Sequence, residues 1–237
     1  MSRIRVVLCR PSHPGNIGAA ARAMKTMGLS DLRLVAPERF PSPEAQWMAT
    51  HAVDVLENAK VHHSLEEAIG DCAAAFAMSA RPREWSPQVL DVRAAAARAM
   101  ELGASVAFVF GNETAGLTNE EMFACQYLVH IPANPEFTSL NLAQAVQITA
   151  YEVRMLAASA IPSQRTQPLA TVEDREGLYR HLEQAAVVSG FHTPASGSRL
   201  PERLRRLFSQ VPQLEREEVN IVRGLLKALL SKWRPGQ

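Results

Sequence analysis

The sequence predicts an α/β fold of the doubly wound type, built on a parallel sheet. Short runs of apolar and β-branched residues alternate with longer, alanine-rich stretches that are long enough to form crossover helices. The short runs are apolar throughout rather than alternating with polar residues, which is typical of parallel strands buried on both faces. The predicted strands are residues 4–9, 32–36, 73–78, 105–110 and 127–131.

Helices are predicted between and after these strands. Gly28 ends the first of them, because glycine readily adopts the left-handed backbone found at the C-termini of many helices. In doubly wound sheets ligands bind beyond the carboxyl ends of the strands, so the residues that follow each strand are the candidates for function. The predicted helices are residues 17–27, 43–56, 65–70, 87–102, 119–124 and 141–158.

The C-terminal part of the chain has a different character. Residues 161–172 have the polar, proline-containing composition of a linker, and three amphipathic helical patterns follow it. We therefore predict residues 1–160 as the main domain and residues 173–237 as a helical extension. Residues 161–237 carry 12 basic and 8 acidic side chains, although the whole chain has a net charge of only +1. A basic tail indicates an anionic partner. Four arginines are candidate phosphate contacts, with a solvated helix face as the alternative: Arg199, Arg203, Arg205 and Arg206.

Composition and cysteine usage exclude several classes of protein. The 237 residues are 47% hydrophobic and 21% charged, which is ordinary for a globular chain and excludes a disordered one. No apolar run is long enough to span a bilayer, and the N-terminus lacks the apolar stretch of a signal peptide. Cys9, Cys72 and Cys125 are widely spaced and odd in number, which argues against a zinc site or a disulfide framework. We expect a cytoplasmic protein with reduced thiols, no membrane segment and no metal.

Three segments that follow predicted strands have small or polar residues in patterns suited to a ligand. The first, residues 13–22, contains two glycines and three alanines, which let a backbone pack closely at a strand-to-helix turn. It also contains Asn16 and Arg22. The alternative is a tight helix start in which Asn16 is the N-cap and Arg22 is a solvated side chain.

The second segment, residues 110–117, has the pattern Gly-x-Glu-x-x-Gly from Gly111 to Gly116. It lacks the second glycine of the dinucleotide-binding motif, and Glu113 lies where a pyrophosphate would approach. Both features argue against NAD and nucleoside triphosphates. A carboxylate beside bare backbone instead suits a cationic or hydroxyl-bearing ligand, unless the segment is an ordinary loop.

The third segment, residues 131–143, is stiffened by two prolines and opens a long helix with a polar turn. Thr138, Ser139 and Asn141 lie in that turn, and all three are suited to capping the helix. Taken alone, this segment does not distinguish capping from ligand binding.

Together, the order, separation and content of the three segments resemble the three motifs of the SPOUT superfamily of RNA methyltransferases. The resemblance covers residues 4–158 and is closest to the bacterial TrmJ group of the TrmH-like branch. Its most specific part is the run Ser-Leu-Asn-Leu-Ala at 139–143, followed by Ala-Tyr-Glu-Val-Arg at 150–154.

The resemblance implies a Rossmann-like parallel sheet with a deep C-terminal trefoil knot, a topology that periodicity alone does not indicate. It also implies a homodimer that binds tRNA and shares its active site between subunits. The implied cofactor is S-adenosylmethionine, which becomes S-adenosylhomocysteine. The implied reaction is methylation of the ribose 2′-hydroxyl of the pyrimidine at position 32 in the tRNA anticodon loop.

Particular residues acquire roles through this resemblance. Arg22 is implied at the methyl-transfer step, surrounded by Asn16, Glu113, Ser139 and Asn141. Because a guanidinium with a pKa above about 12 stays protonated, we expect Arg22 to grip a phosphate and stabilise developing alkoxide charge. The proton then passes to water or phosphate. The implied cofactor contacts are Met78, Ser79, Ala80, Gly111, Ile131, Thr138, Ser139 and Leu140.

Three positions depart from the pattern of the TrmJ group. Met78 stands in place of a small polar residue, Asn112 in place of a basic residue, and Phe137 in place of tyrosine. The departures leave the exact target nucleotide open. The alternatives are the same methyl transfer at another tRNA position or on ribosomal RNA, and a non-catalytic RNA-binding protein of the same fold.

Overall fold

The computed structural model describes residues 3–80, 87–159, 167–193, 199–211 and 213–232. Within these ranges seven strands form one sheet in the order β3-β2-β1-β6-β4-β7-β5, and every neighbouring pair is parallel. The predicted parallel α/β sheet is thereby confirmed. The strands are β1 (Ile4–Cys9), β2 (Asp31–Val35), β3 (Lys60–His62), β4 (Ala74–Met78), β5 (Gln88–Asp91), β6 (Val106–Phe110) and β7 (Tyr127–His130).

Helices cover both faces of the sheet and form the C-terminal part of the chain. None of those in the described ranges is both long enough and apolar enough to cross a bilayer. The helices are α1 (Pro14–Thr26), α2 (Pro43–Ala49), α3 (Val53–Glu57), α4 (Leu65–Ile69), α5 (Val92–Leu102), α6 (Asn119–Ala124), α7 (Leu142–Ser159), α8 (Val172–Val188), α9 (Leu200–Ser209) and α10 (Arg216–Lys232).

Burial of the central strands explains their uninterrupted apolar sequences. All residues of β1, β4 and β6 are buried. On one face, the rings of Phe76, Phe108 and Tyr127 stack across three adjacent strands, with centroids 5.0 Å and 4.8 Å apart. Their packing fixes the relative positions of β6, β4 and β7, whose carboxyl ends carry the segments singled out in the sequence. The knot stays a prediction.

Two predicted helices are wrong in part. The helix predicted at 87–102 begins only after β5, because Asp91 accepts a hydrogen bond from the Ala94 amide (2.8 Å) as an N-cap. The helix predicted at 43–56 is interrupted after α2, where Thr50 has a φ of +52°. The edge strands β3 and β5 were not predicted, because they are short and partly exposed and lack the apolar runs of the central strands.

Helix α1 begins earlier than predicted, and this changes the interpretation of Asn16. The N-cap position is His13 and Pro14 occupies the first turn, so Asn16 lies inside the helix rather than capping it. The helix packs closely on α2, since a Cβ atom built on Gly18 would lie 2.0 Å from the carbonyl oxygen of Ala45. This contact fixes α1 at the carboxyl edge of the sheet.

The C-terminal helices dock at the opposite edge. The Val172 amide donates to the Cys72 carbonyl (2.6 Å) and the Glu173 amide to the Gly70 carbonyl (3.0 Å), just before β4 begins. A small separate core holds these helices together, formed by Ala170, Leu178, Leu214 and Val219. Residues 160–166 of the chain lie outside the described residues. Residues 167–172 of the predicted linker belong to this packed unit, where Leu169 and Glu215 form an antiparallel bridge.

Arg205, among the four arginines proposed for phosphate contacts, pairs with a residue of a neighbouring helix. Arg205 pairs with Glu176 of α8, and its guanidinium lies 4.9 Å from the centre of the Tyr179 ring. Its role is therefore to join α9 to α8, and the expectation that it contacts phosphate is wrong for this residue. Arg203 and Arg206 are exposed on α9.

Candidate functional site

The loops that follow β1, β4, β6 and β7 surround a cavity of about 800 Å³ at the carboxyl edge of the sheet. This volume lies in the range of small-molecule and cofactor sites. Apolar side chains and exposed backbone form much of the wall. The cavity is lined by all eight positions implied as cofactor contacts, namely Met78, Ser79, Ala80, Gly111, Ile131, Thr138, Ser139 and Leu140.

The carboxylate of Glu113 connects the loop after β6 to the start of α1. One oxygen accepts hydrogen bonds from the Ser12 amide (3.0 Å) and hydroxyl (2.9 Å). The other accepts from the His13 amide (3.3 Å) and from Nδ2 of Asn16 (2.9 Å). Burial alone would raise the pKa of Glu113, but hydrogen bonds from Asn16 and Ser12 outweigh it and lower that pKa to about 2. The carboxylate is therefore a fixed anion at neutral pH.

Asn16 and Asn141 extend this network to the third loop. Nδ2 of Asn141 donates to Oδ1 of Asn16 (2.9 Å), while Oδ1 of Asn141 accepts from the Ala143 amide (2.9 Å). Asn141 therefore caps α7 and also lines the cavity, and its role in ligand binding stays a prediction. Ser139 is exposed beside it and lines the cavity.

The loop after β6 folds back on itself and depends on two glycines. A Cβ atom built on Gly111 would lie 2.1 Å from the carbonyl carbon of Gly116, and Gly116 has a φ of +69°. Oδ1 of Asn112 accepts from the amides of Thr114 (2.9 Å) and Ala115 (3.1 Å). Its Nδ2 donates to the Arg10 carbonyl (2.8 Å). Asn112, which departs from the pattern of the TrmJ group, thus stabilises the loop.

Sequence reasoning missed two residues that support this loop from outside. The guanidinium of Arg10 pairs with Glu121 and donates to the Gly116 carbonyl (3.1 Å). Glu121 also accepts from the Thr118 amide (2.8 Å), in the capping box of α6. Arg10 directly follows β1, so the rule that function follows strand ends could have singled it out.

Arg22 is the one predicted catalytic residue that the chain does not bring to the cavity. It is exposed on α1, six residues beyond Asn16, which places it about 9 Å further along the helix axis. None of the residues described around the cavity is a lysine or an arginine. The described part of a single chain thus brings Asn16, Glu113, Ser139 and Asn141 to one cavity and places no lysine or arginine in its lining.

The cysteines and the possible metal ligands of the described ranges lie apart from one another. No cluster of histidine, cysteine or carboxylate side chains suited to a metal ion occurs among those residues. Cys9, Cys72 and Cys125 are buried and free, and burial raises the pKa of each thiol. Phe137 is 76% exposed and does not line the cavity.

The Glu113 network predicts a specific effect of Glu113→Gln. Glutamine replaces one of the two accepting oxygens of Glu113 by an NH₂ group, which would face the hydrogen-bond donors that now bind that oxygen. We therefore expect the free energy of unfolding to fall by about 1 kcal/mol at pH 7. The folded-state pKa of about 2 lies below the ordinary value of 4.5. The wild-type advantage should therefore be full above about pH 5 and disappear as pH falls towards 2.

Urea unfolding at pH 7 and pH 3 measures this difference. Glu136→Gln is the matched control, because Glu136 is exposed in the neighbouring loop. A wild-type advantage over Glu113→Gln that stayed constant with pH would contradict the proposed charge-dependent network.

Comparisons with known proteins give matches over almost the whole chain. Residues 3–151 match the model of the SpoU rRNA Methylase family, and residues 173–237 match that of the tRNA methyltransferase TrmJ, C-terminal domain. Among solved structures, the crystal structure of TrmJ from Z. mobilis ZM4 has a TM-score of 0.83 and 36% identity, covering 95% of this chain and 98% of that chain.

Two curated relatives are similar over nearly their full length. A tRNA (cytidine/uridine/adenosine-2′-O-)-methyltransferase TrmJ of Pseudomonas aeruginosa is 47% identical over 240 residues, covering 95% of this chain and 93% of that protein. A tRNA (cytidine/uridine-2′-O-)-methyltransferase TrmJ of Pectobacterium atrosepticum is 44% identical over 235 residues, covering 97% of each. The names of these relatives differ in whether adenosine is included.

Proposed function

The chain belongs to the SpoU methylase family, and from this premise we propose that it methylates the ribose 2′-hydroxyl of a nucleotide in tRNA. The enzyme is a methyltransferase of the TrmJ type that uses S-adenosylmethionine. We further propose that the target is the pyrimidine at position 32 of the anticodon loop. The observation that supports this most is the convergence of the eight implied cofactor positions and the Asn16–Glu113–Asn141 network on one cavity.

The residues around the cavity fit S-adenosylmethionine. Leu117, Ile131 and Leu140 offer apolar contacts for an adenine ring, and Gly111 leaves its side of the wall without a side chain. The small residues Ser79 and Ala80 after β4 line the cavity and leave room for a nucleoside. The cofactor supplies a methyl group on a positively charged sulfur, which is a good leaving group for an in-line displacement.

The residues of the chain then orient the attacking ribose. Glu113 accepts a hydrogen bond from the Asn16 side chain, and Asn16 accepts one from the Asn141 side chain, so the three side chains orient one another. Ser139 and Asn141 both line the cavity, and their proposed role is to bind the ribose hydroxyls. Arg22 is needed to grip the adjoining phosphate and to stabilise negative charge on the attacking oxygen.

Because Arg22 lies outside the cavity of its own chain, we propose that a homodimer supplies it from the partner subunit. The exposed face of α7 supports such an interface, since Tyr151 and Met155 are 47% and 45% exposed there. Such apolar side chains on one helix are typical of surfaces that bury themselves in an oligomer. The cytoplasmic location is proposed from the three reduced, buried thiols.

Methyl transfer from labelled S-adenosylmethionine to bulk tRNA, followed by mapping of the product nucleotide, tests this proposal. We expect label at the 2′-oxygen of nucleotide 32, and the mapped base decides whether adenosine is accepted. Label on ribosomal RNA alone would show that the substrate is ribosomal RNA and not tRNA. Cofactor binding without methyl transfer to either RNA would contradict the proposed enzymatic activity.

A further inference from the structure

Methylation of a neutral hydroxyl releases a proton, and the residues around the cavity restrict where that proton can go. Among the described residues that line it, only His13 and Glu113 have side chains of a type that serves as a general base. The remaining polar side chains are amides and hydroxyls, which are poor bases. Arginine is also excluded, since a guanidinium remains protonated.

Glu113 is unsuited to accept the proton. Both of its oxygens already accept two hydrogen bonds each, from Ser12, His13 and Asn16. The same bonds lower the pKa of Glu113 to about 2, so the carboxylate is a weak base at neutral pH. An efficient general base has a pKa close to the working pH.

His13 occupies a fixed position beside the residues that hold the ribose. Its amide donates to Glu113, and its carbonyl accepts from the Asn16 amide (3.0 Å). Pro14 follows it directly and restricts the backbone. The residue is exposed, and although it is the N-cap of α1 its side chain makes no capping hydrogen bond. The imidazole is therefore not committed to stabilising the helix.

We infer that His13, rather than water or phosphate, is the first proton acceptor for methyl transfer. This inference rests on the proposed function. The ribose oxygen forms a bond to the methyl carbon as the bond from that carbon to sulfur breaks. The electron pair of the broken bond stays on sulfur, which becomes a neutral thioether, and the proton of the hydroxyl passes to the neutral imidazole. The imidazolium then releases this proton to water.

The charged surroundings of His13 define the expected pH dependence. Glu113 faces it from the loop after β6 and accepts from its amide (3.3 Å), and Oε1 of Glu44 in α2 lies 3.0 Å from a Cβ atom built on Gly15, two residues further along. On its own segment the nearest cations are Arg10 and Arg22. The third loop brings only neutral residues to the cavity wall. Because the imidazole has to be neutral to accept the proton, the rate of methyl transfer should fall as pH is lowered.

Single-turnover methylation of tRNA between pH 5.5 and 9 tests the inference with His13→Ala and His13→Gln. We expect both variants to lose about 100-fold in rate at pH 7.5, as is usual for a missing general base. The plateau at high pH should disappear, and added imidazole should restore part of the rate of His13→Ala. His51→Ala, which removes an exposed histidine outside the cavity, is the matched control and should behave as wild type.

Each outcome separates this inference from the proposed function. Wild-type enzyme that methylates no RNA contradicts the proposed function itself. Active wild type with an unchanged rate and pH profile in both variants overturns the role of His13. A rate loss explained by weaker binding of S-adenosylmethionine or tRNA also overturns it, and affinities measured by calorimetry for the same variants decide this. If His13→Ala is unfolded in a thermal melt, His13→Gln alone decides.

Discussion

Arg22→Ala is expected to lower the rate of methyl transfer by about 100-fold or more while the affinity for S-adenosylmethionine stays unchanged. The rate falls because a cation that stabilises negative charge in the transition state typically contributes a factor of 10² to 10³. Cofactor affinity is unaffected because the proposed contacts of Arg22 are with the phosphate and the attacking oxygen of the RNA rather than with S-adenosylmethionine. Single-turnover kinetics and calorimetry measure the two quantities separately.

The same substitution tests whether the active site is shared. Mixed dimers of Arg22→Ala chains with Gly111→Ala chains contain one intact cavity, which faces a partner that retains Arg22. Such dimers should recover activity that neither variant has alone. No recovery in purified mixed dimers would contradict supply of Arg22 by the partner subunit.

Two further variants control the Arg22 experiment. Arg22→Lys keeps the charge but loses the planar fork that holds a phosphate through two hydrogen bonds, so we expect a partial loss. Full activity of Arg22→Lys would exclude a two-pronged phosphate contact. Lys60→Ala removes a cation at the start of β3, on the opposite edge of the sheet, and should leave the rate unchanged.

Gly111→Ala is expected to weaken the binding of S-adenosylmethionine by about 100-fold. Its Cβ atom would lie 2.1 Å from the Gly116 carbonyl carbon and 2.3 Å from the Leu117 amide nitrogen. Both are backbone atoms, so the loop has to move as a whole and the cavity wall moves with it. Overpacking of this kind costs about 1–3 kcal/mol, and 1.4 kcal/mol corresponds to tenfold in affinity.

Two other glycines provide controls for Gly111→Ala. In Gly116→Ala the new Cβ atom has no neighbour within 4 Å, but the alanine has to adopt a strained φ of +69°. This variant therefore measures the free-energy cost of the backbone conformation alone, about 1–2 kcal/mol. Gly224→Ala lies inside α10 with nothing within 4 Å, and it should stabilise the protein by roughly 1 kcal/mol without affecting the cofactor. Wild-type cofactor affinity in folded Gly111→Ala would contradict the described loop.

The sequence predicted the parts of the fold that burial dominates. β1, β4 and β6 are apolar because both of their faces are covered, and such an apolar run can be recognised from the sequence alone. β5 is partly exposed on the sheet edge, and its existence depends on pairing with β7 rather than on its own composition. The predicted start of α1 is too late because asparagine is a common N-cap residue, which makes Asn16 the expected cap. In the structure the Asn16 side chain instead donates a hydrogen bond to Glu113.

The site was predictable to the extent that it consists of loops after strands. The positions of Asn16, Glu113 and Asn141 follow from that rule and from the resemblance, although neither gives their hydrogen bonds. The hydrogen bond of Arg10 to Gly116 and its ion pair with Glu121 join residues that are more than 100 positions apart in the sequence. No local pattern encodes such a pair, because it arises only when β1 and β6 become neighbours in the sheet.

The docking of α8 has a geometric consequence for substrate choice. It attaches just before β4 begins, whereas the cavity lies beyond the end of that strand. Five residues of strand span about 17 Å. An RNA held by the cavity and by the C-terminal helices of the same chain has to cover at least that length. We therefore expect that an RNA in contact with both the cavity and these helices is longer than an isolated anticodon loop, which would reach the cavity but not the helices.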